Sequence, residues 1–128
     1  MMEPETFRDC VDAIESAYEV MLAYAAQGRA TEGGDIRSYL ESLSSGLGVV
    51  GDAVVGEIEK ADGKNTNPMM HYAAVLAADA SRAKAAVDMT LATPSIGSQI
   101  IDNLNATIHL RALLTSIFLI DEALKSAK

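Results

Sequence analysis

Two histidines, His71 and His109, and one cysteine, Cys10, are the side chains of this chain best suited to acid–base, nucleophilic or soft-metal chemistry near neutral pH. A paired-metal bundle needs Glu-x-x-His motifs facing inward. The residues three before the histidines are Pro68 and Ala106, so neither histidine supplies one. Two histidines also fall short of a zinc cluster, and no metal and no cofactor are expected. Met69-Met70-His71 offers the thioether and imidazole ligands that Cu(I) favours. Three consecutive helical residues point in different directions, however; Met69 and Met70 read as flexible core fillers and His71 as a surface residue. Cys10 cannot form an internal disulfide and falls on the helical side of Phe7, Ile14 and Tyr18, which makes it a small core residue.

His109 has more around it. Asp102, Asn105, His109 and Ser116 fall at helical spacing along one polar stripe. Over five residues, His109-Leu110-Arg111-Ala112-Leu113 resembles the phosphoacceptor segments of histidine phosphotransfer domains and of histidine-kinase dimerisation helices. It departs from them in three ways: no acid directly follows His109, no Gly follows the basic residue, and no Pro lies shortly downstream. The resemblance implies a phosphoacceptor role for His109; the plainer reading is a surface or interface histidine. Gly-x-Ser-x-Gly, the phosphate loop ending in Lys-Ser or Lys-Thr, and Cys-x-x-Cys are all absent from the sequence. Gly46-x-Gly48-x-x-Gly51 matches a dinucleotide fingerprint in letters only, because it sits inside a helical repeat instead of after a strand. No acid, base and nucleophile are placed together, and an enzyme is not expected.

The elements that carry these residues are helical. Phe7, Cys10, Val11, Ile14, Tyr18, Met21 and Ala25 share one stripe of a first helix from about Pro4 to Gln27, with Gly28 as its stop. Glu5, Asp9, Asp12, Glu15 and Glu19 make its solvated face. After a polar loop over Gly28 to Gly34, Ile36, Leu40, Leu43, Leu47, Val50 and Val54 alternate four and three apart, the spacing of a coiled-coil seam, along a second helix to about Asp62. Gly46, Gly48, Gly51 and Gly56 interrupt it, each costing up to ~1 kcal/mol against Ala. Close packing by the small residues Ala73, Ala80 and Ala83 of the third helix would compensate, as would a kink or split near Gly46–Gly51. Asn67-Pro68 marks the start of that third helix, which runs to about Leu91.

Thr93-Pro94 repeats the start signal, so the fourth helix is expected from there, through Gly97, to about Ser126. Its first half carries Ile96, Ile100, Ile101, Leu104 and Ile108. Its second half carries Leu110, Leu113, Leu114, Ile117, Phe118, Leu119, Ile120 and Leu124, which is more than one face. A bundle covers only the inward stripe of each helix, so a second subunit on Leu110, Leu113, Leu114, Ile117, Phe118 and Ile120 is the expected cover.

The totals agree with one domain over residues 1–128: an all-α, antiparallel four-helix bundle running up-down-up-down and forming a homodimer through its fourth helix. With 49% hydrophobic residues, 5% aromatic residues and no Trp, the core is thin and aliphatic. Eighteen acidic residues against ten basic ones give a formal charge of −8, with Lys and Arg scattered, which argues against nucleic acid and anionic membranes as partners. Ala112 to Ile120, the most apolar run, is nine residues long, whereas a bilayer needs ~20. An acidic start, Met1 to Glu5, is unlike a secretory signal, and a cytoplasmic location is expected. The expected function is a non-catalytic interaction protein, an accessory, adaptor or assembly factor for another protein. The alternatives are a phosphotransfer bundle using His109 and a small-ligand binder with a pocket beside the second-helix glycines, lined by Tyr39 and Tyr72.

Overall fold

The computed structural model describes residues 6–60 and 66–126. Among them are five helices and no strand: α1 (Phe7–Ala25), α2 (Ile36–Lys60), α3 (Thr66–Leu91), α4 (Ser98–Ile108) and α5 (Leu110–Ser126). Pro4 and Asp62, named above at helix ends, lie outside the described residues. α2 packs on both α1 and α3, and α4 and α5 each pack on α1 and α3, as in a helical bundle. One apolar core runs through all five helices, from Phe7 to Leu124, with Cys10 fully enclosed in it.

α1 starts on a capping box. Thr6 Oγ1 accepts from the Asp9 amide at 3.0 Å, and the Asp9 carboxylate accepts from the Thr6 amide at 3.4 Å, together satisfying two amides that a helix start leaves unpaired. α2 is continuous from Ile36 to Lys60, so its glycines neither split nor end it. Close approach accounts for two of them. A Cβ on Gly51 would meet the Ala77 Cβ of α3 at 2.8 Å, and one on Gly48 would meet the stem of Lys84 at 3.0 Å. Gly46 faces α1 instead, where a Cβ would reach the Cys10 carbonyl and Ile14 at 3.5 Å, an ordinary contact. Ala73, Ala80 and Ala83 are buried as expected of a small-residue face, but the alanine directly against Gly51 is Ala77. Within α3 Lys84 pairs with Asp88 at 2.8 Å, and across from α2 Ser44 donates to Asp88 at 2.5 Å. These two partners hold the Asp88 carboxyl below the usual carboxylate range.

The loop between α1 and α2 is locked to the segment between α3 and α4. Arg37 donates to both carboxylate oxygens of Glu32, at 2.8 and 3.1 Å, and to the carbonyls of Leu91 and Thr93 at the end of α3, at 2.8 and 3.1 Å. A guanidinium there meets carbonyls that have no helical partner and complements the negative helix end. Glu32 is held in turn by Ser95 on its amide and by the Ile96 amide on its carboxylate. The Arg37 bonds lower the Glu32 carboxyl from its ordinary value. The buried Tyr24 hydroxyl donates to the Ile96 carbonyl, and Ser98 donates to the Tyr24 carbonyl at 2.7 Å and accepts from the Arg29 amide at 2.8 Å.

This lock corrects the expected start of the fourth helix. Thr93 and Pro94 belong to the turn, and Gly97 is the cap residue, not a helical one. A Cβ on Gly97 would stand 2.9 Å from the Arg29 carbonyl, and the Ser98 amide donates to that same carbonyl at 2.9 Å. The second correction is the break at His109, which divides the expected helix into α4 and α5 with axes 42° apart. On an unbroken helix the stripe Ile101, Leu104, Ile108 and the stripe Leu110, Leu113, Leu114, Ile117 would lie roughly half a turn apart. The break turns both onto the same core. No single described helix is long and apolar enough to cross a membrane; α4 and α5 reach that length and hydropathy only when taken together across the bend.

Two outcomes follow from this packing. Gly51→Leu is expected to lower stability by about 1–3 kcal/mol through overpacking against Ala77, whereas Gly56→Ala, which faces open space, is expected to raise it by about 0.5–1 kcal/mol; urea denaturation of the two variants checks both signs. Because the folded Asp88 carboxyl is depressed, its stabilisation is present above the unfolded value of about 3.9 and is lost as pH falls through the folded one. Ser44→Ala removes one cause, so the Asp88 titration followed by NMR should move upward and the acid-side loss of stability should shrink.

Candidate functional site

The polar residues singled out along the fourth helix do not form one stripe in space, because the break falls among them. His109 has φ 49° and ψ 46°, left-handed backbone that is uncommon for a side chain with a Cβ. It closes α4, and its carbonyl accepts from the Leu113 amide at 3.1 Å, beginning the bonding of α5. Asp102 stays exposed. Asn105 turns inward, and its amide donates to the Met21 carbonyl of α1 at 3.4 Å. Ser116 takes a hydrogen bond from the Tyr72 hydroxyl of α3 at 2.9 Å.

Two open hollows meet at His109. One, of about 540 Å³, lies toward α1 and is lined by Tyr18, Leu22, Asn105, Arg111 and Thr115 among others. The other, of about 480 Å³, lies toward α3 and is lined by residues that include Asp79, Arg82, Thr107 and Ser116. Asp79 and Arg82 pair with each other at 3.3 Å. In the first hollow the Oδ1 of Asn105 is buried without a hydrogen-bond partner among the described residues, and leaving such an acceptor unmet costs about 1–3 kcal/mol.

The chemistry at His109 is limited by its neighbours. Its imidazole is exposed, and no side-chain hydrogen bond or ion pair to a described residue engages it, so nothing fixes its tautomer as a general base requires. It stands at a helix break and not along a helix face, a further departure from the helical phosphoacceptor segments it resembles. Among the described residues no three of His, Cys, Asp and Glu come together as metal ligands do. Cys10 is enclosed in the core, where burial pushes its thiol up and away from the reactive thiolate. His71 is exposed, and Met69 and Met70 pack against the core.

Tyr39 and Tyr72, expected to line a ligand pocket beside the second-helix glycines, stand near the starts of different helices, α2 and α3. Gly51 and Ala77 are in contact where it would lie. Tyr39 lines a hollow of about 460 Å³ with Asp35, Ser38 and Ser42 at the start of α2, while Tyr72 is engaged with Ser116.

Of the six residues expected to meet a second subunit, five are enclosed within the chain itself: Leu110, Leu113, Leu114, Ile117 and Ile120. The rotation of α5 at His109 is the physical reason, since it brings their common face onto α1 and α3. Phe118 remains 46% exposed, and beside it Leu119, which was not among the six, is 58% exposed. Leu22 of α1, which lines the first hollow with Arg111 and Thr115, is 49% exposed. The outward side of α5 and the neighbouring edge of α1 thus carry apolar surface that the chain leaves uncovered. The surplus of apolar residues on the fourth helix signalled such surface; which of them would carry it depended on the break.

Comparison with known protein families, with curated proteins and with solved structures gives no match for this chain.

Left-handed backbone at His109 is strained for a side chain and free for glycine. His109→Gly is therefore expected to leave the fold intact and raise its stability by up to about 1 kcal/mol, and His109→Val to lower it by about the same amount. Chemical denaturation of the two variants reads the difference directly; equal stabilities would mean that the break does not depend on this dihedral.

Proposed function

We propose that this chain is a non-catalytic, cytoplasmic interaction protein that works as a homo-oligomer and serves another protein as accessory, adaptor or assembly factor. The observation that carries the reading is the apolar surface on the outward side of α5, where Phe118 is 46% and Leu119 58% exposed. Large apolar side chains set together on a surface favour protein association. Their surroundings support binding over catalysis: His109 has no acid–base partner among the described residues, and the one cysteine is buried. A lone enclosed thiol fits a reducing compartment. In this reading α4 and α5 act together as one bent fourth side of an up-down-up-down bundle. The bonds of Ser98 to the end of α1 and of Ser116 to Tyr72 near the start of α3 support that direction.

Light scattering behind size-exclusion chromatography tests the reading. The wild type is expected at twice the chain mass, and Phe118→Lys/Leu119→Lys at the chain mass, with helix content unchanged because both side chains already face outward. A wild type at the chain mass across the accessible concentrations would refute self-association.

A further inference from the structure

The outward side of α5 has an order in its charges as well as exposed apolar groups. Arg111, Thr115, Phe118 and Glu122 are all exposed and are spaced four, three and four apart, so they form a single straight seam of the kind that pairs with another helix. The seam starts on the cation Arg111 and reaches the anion Glu122, and the exposed Lys125, three further on, continues the same spacing. Arg111 and Glu122 have no ion-pair partner among the described residues, whereas Lys125 is held by Asp121 at 3.3 Å.

We infer that this seam binds a second copy of itself in antiparallel orientation about a two-fold axis, with Arg111 of each protomer opposite Glu122 of the other. The inference rests on the proposed self-association and specifies its geometry. A two-fold axis places the same surface on both sides of an interface, so the surface must complement itself when reversed. This seam does: reversal sets Arg111 against Glu122 and Thr115 against Phe118, each twice. A parallel pairing would set Arg111 on Arg111 and Glu122 on Glu122, and like charges across an interface are penalised. Leu119 runs beside the seam and extends the apolar contact between the two charge pairs. The formal charge of −8 on each copy makes approach at most other orientations repulsive, and the ordered ends of α5 supply the local exception.

Charge reversal on the full chain tests this by sedimentation equilibrium. Arg111→Glu and Glu122→Arg each replace two attractive contacts by two repulsive ones and are expected to weaken the dimer by roughly tenfold or more in Kd. Arg111→Glu/Glu122→Arg restores opposite charges at both places, and its Kd is expected to return to within about threefold of wild type. Thermal melting monitored by circular dichroism verifies that all three variants stay folded. A wild-type dimer whose Kd ignores the single reversals, or a double variant that is weaker than either single, would overturn the antiparallel pairing and leave self-association standing. A wild type that stays monomeric overturns both and leaves the seam to a different protein.

Discussion

The arrangement of this molecule depends on a phase constraint along its last thirty or so residues. The apolar stripes of α4 and α5 belong to the same core, yet on a straight helix they would face roughly opposite ways. No rigid rotation of one helix buries both. The chain resolves this by leaving helical geometry at one residue, His109, and re-entering it at Leu110 with a new azimuth. Burial of Leu110, Leu113, Leu114, Ile117 and Ile120 provides far more than the cost of one left-handed residue, since each large apolar side chain gains about 1.5–3 kcal/mol. A bend of 42° then follows from covering α1 and α3 with both segments.

The same constraint separates what could be read in the sequence from what could not. The seams of the first three helices were legible because each keeps one phase: Phe7, Cys10, Val11, Ile14 and Met21, then Ile36 to Val54, then Ala73, Ala80 and Ala83 are buried where their spacing puts them, while Tyr18 is only partly so. Gly51 was legible as a close approach, although its partner Ala77 was not, because register between two helices is set by packing and not by either helix alone. In the final helix the sequence showed two apolar faces, which is the signature of a phase change as much as of a second interface, and a histidine carries none of the marks of a helix break that glycine or proline would. The false start at Thr93-Pro94 has a similar origin. The local signal was sound, but Gly97 and Ser98 are committed to carbonyls of the α1–α2 loop far away in sequence, and that contact decides where helix can begin.

The candidate site inherits its form from the break. A continuous helix would have filled the space beside Asn105 with its next turn; the bend opens a hollow on each side of His109 and presents Phe118, Leu119 and the charges of α5 outward. Exposed apolar surface and core coverage are thus two faces of one short helix. Nothing in the sequence around His109 advertised this, because the exposure of Phe118 depends on azimuth, and azimuth was reset about two and a half turns earlier.

The clasp around Arg37 and Glu32 bears on how the chain reaches its fold. Its bonds between the two segments join residues 54 to 74 positions apart, from Arg37 with Leu91 to Ser98 with Tyr24. Closing so long a loop carries an entropic cost that local helix formation does not, and contacts of such separation slow folding relative to nearest-neighbour helix pairing. The hairpins α1–α2 and α2–α3 need only short connections, so they can assemble while the last two helices are still unattached. Separation along the chain thus favours pairing of the first three helices over closure of the clasp, and the surface on α5 depends on both.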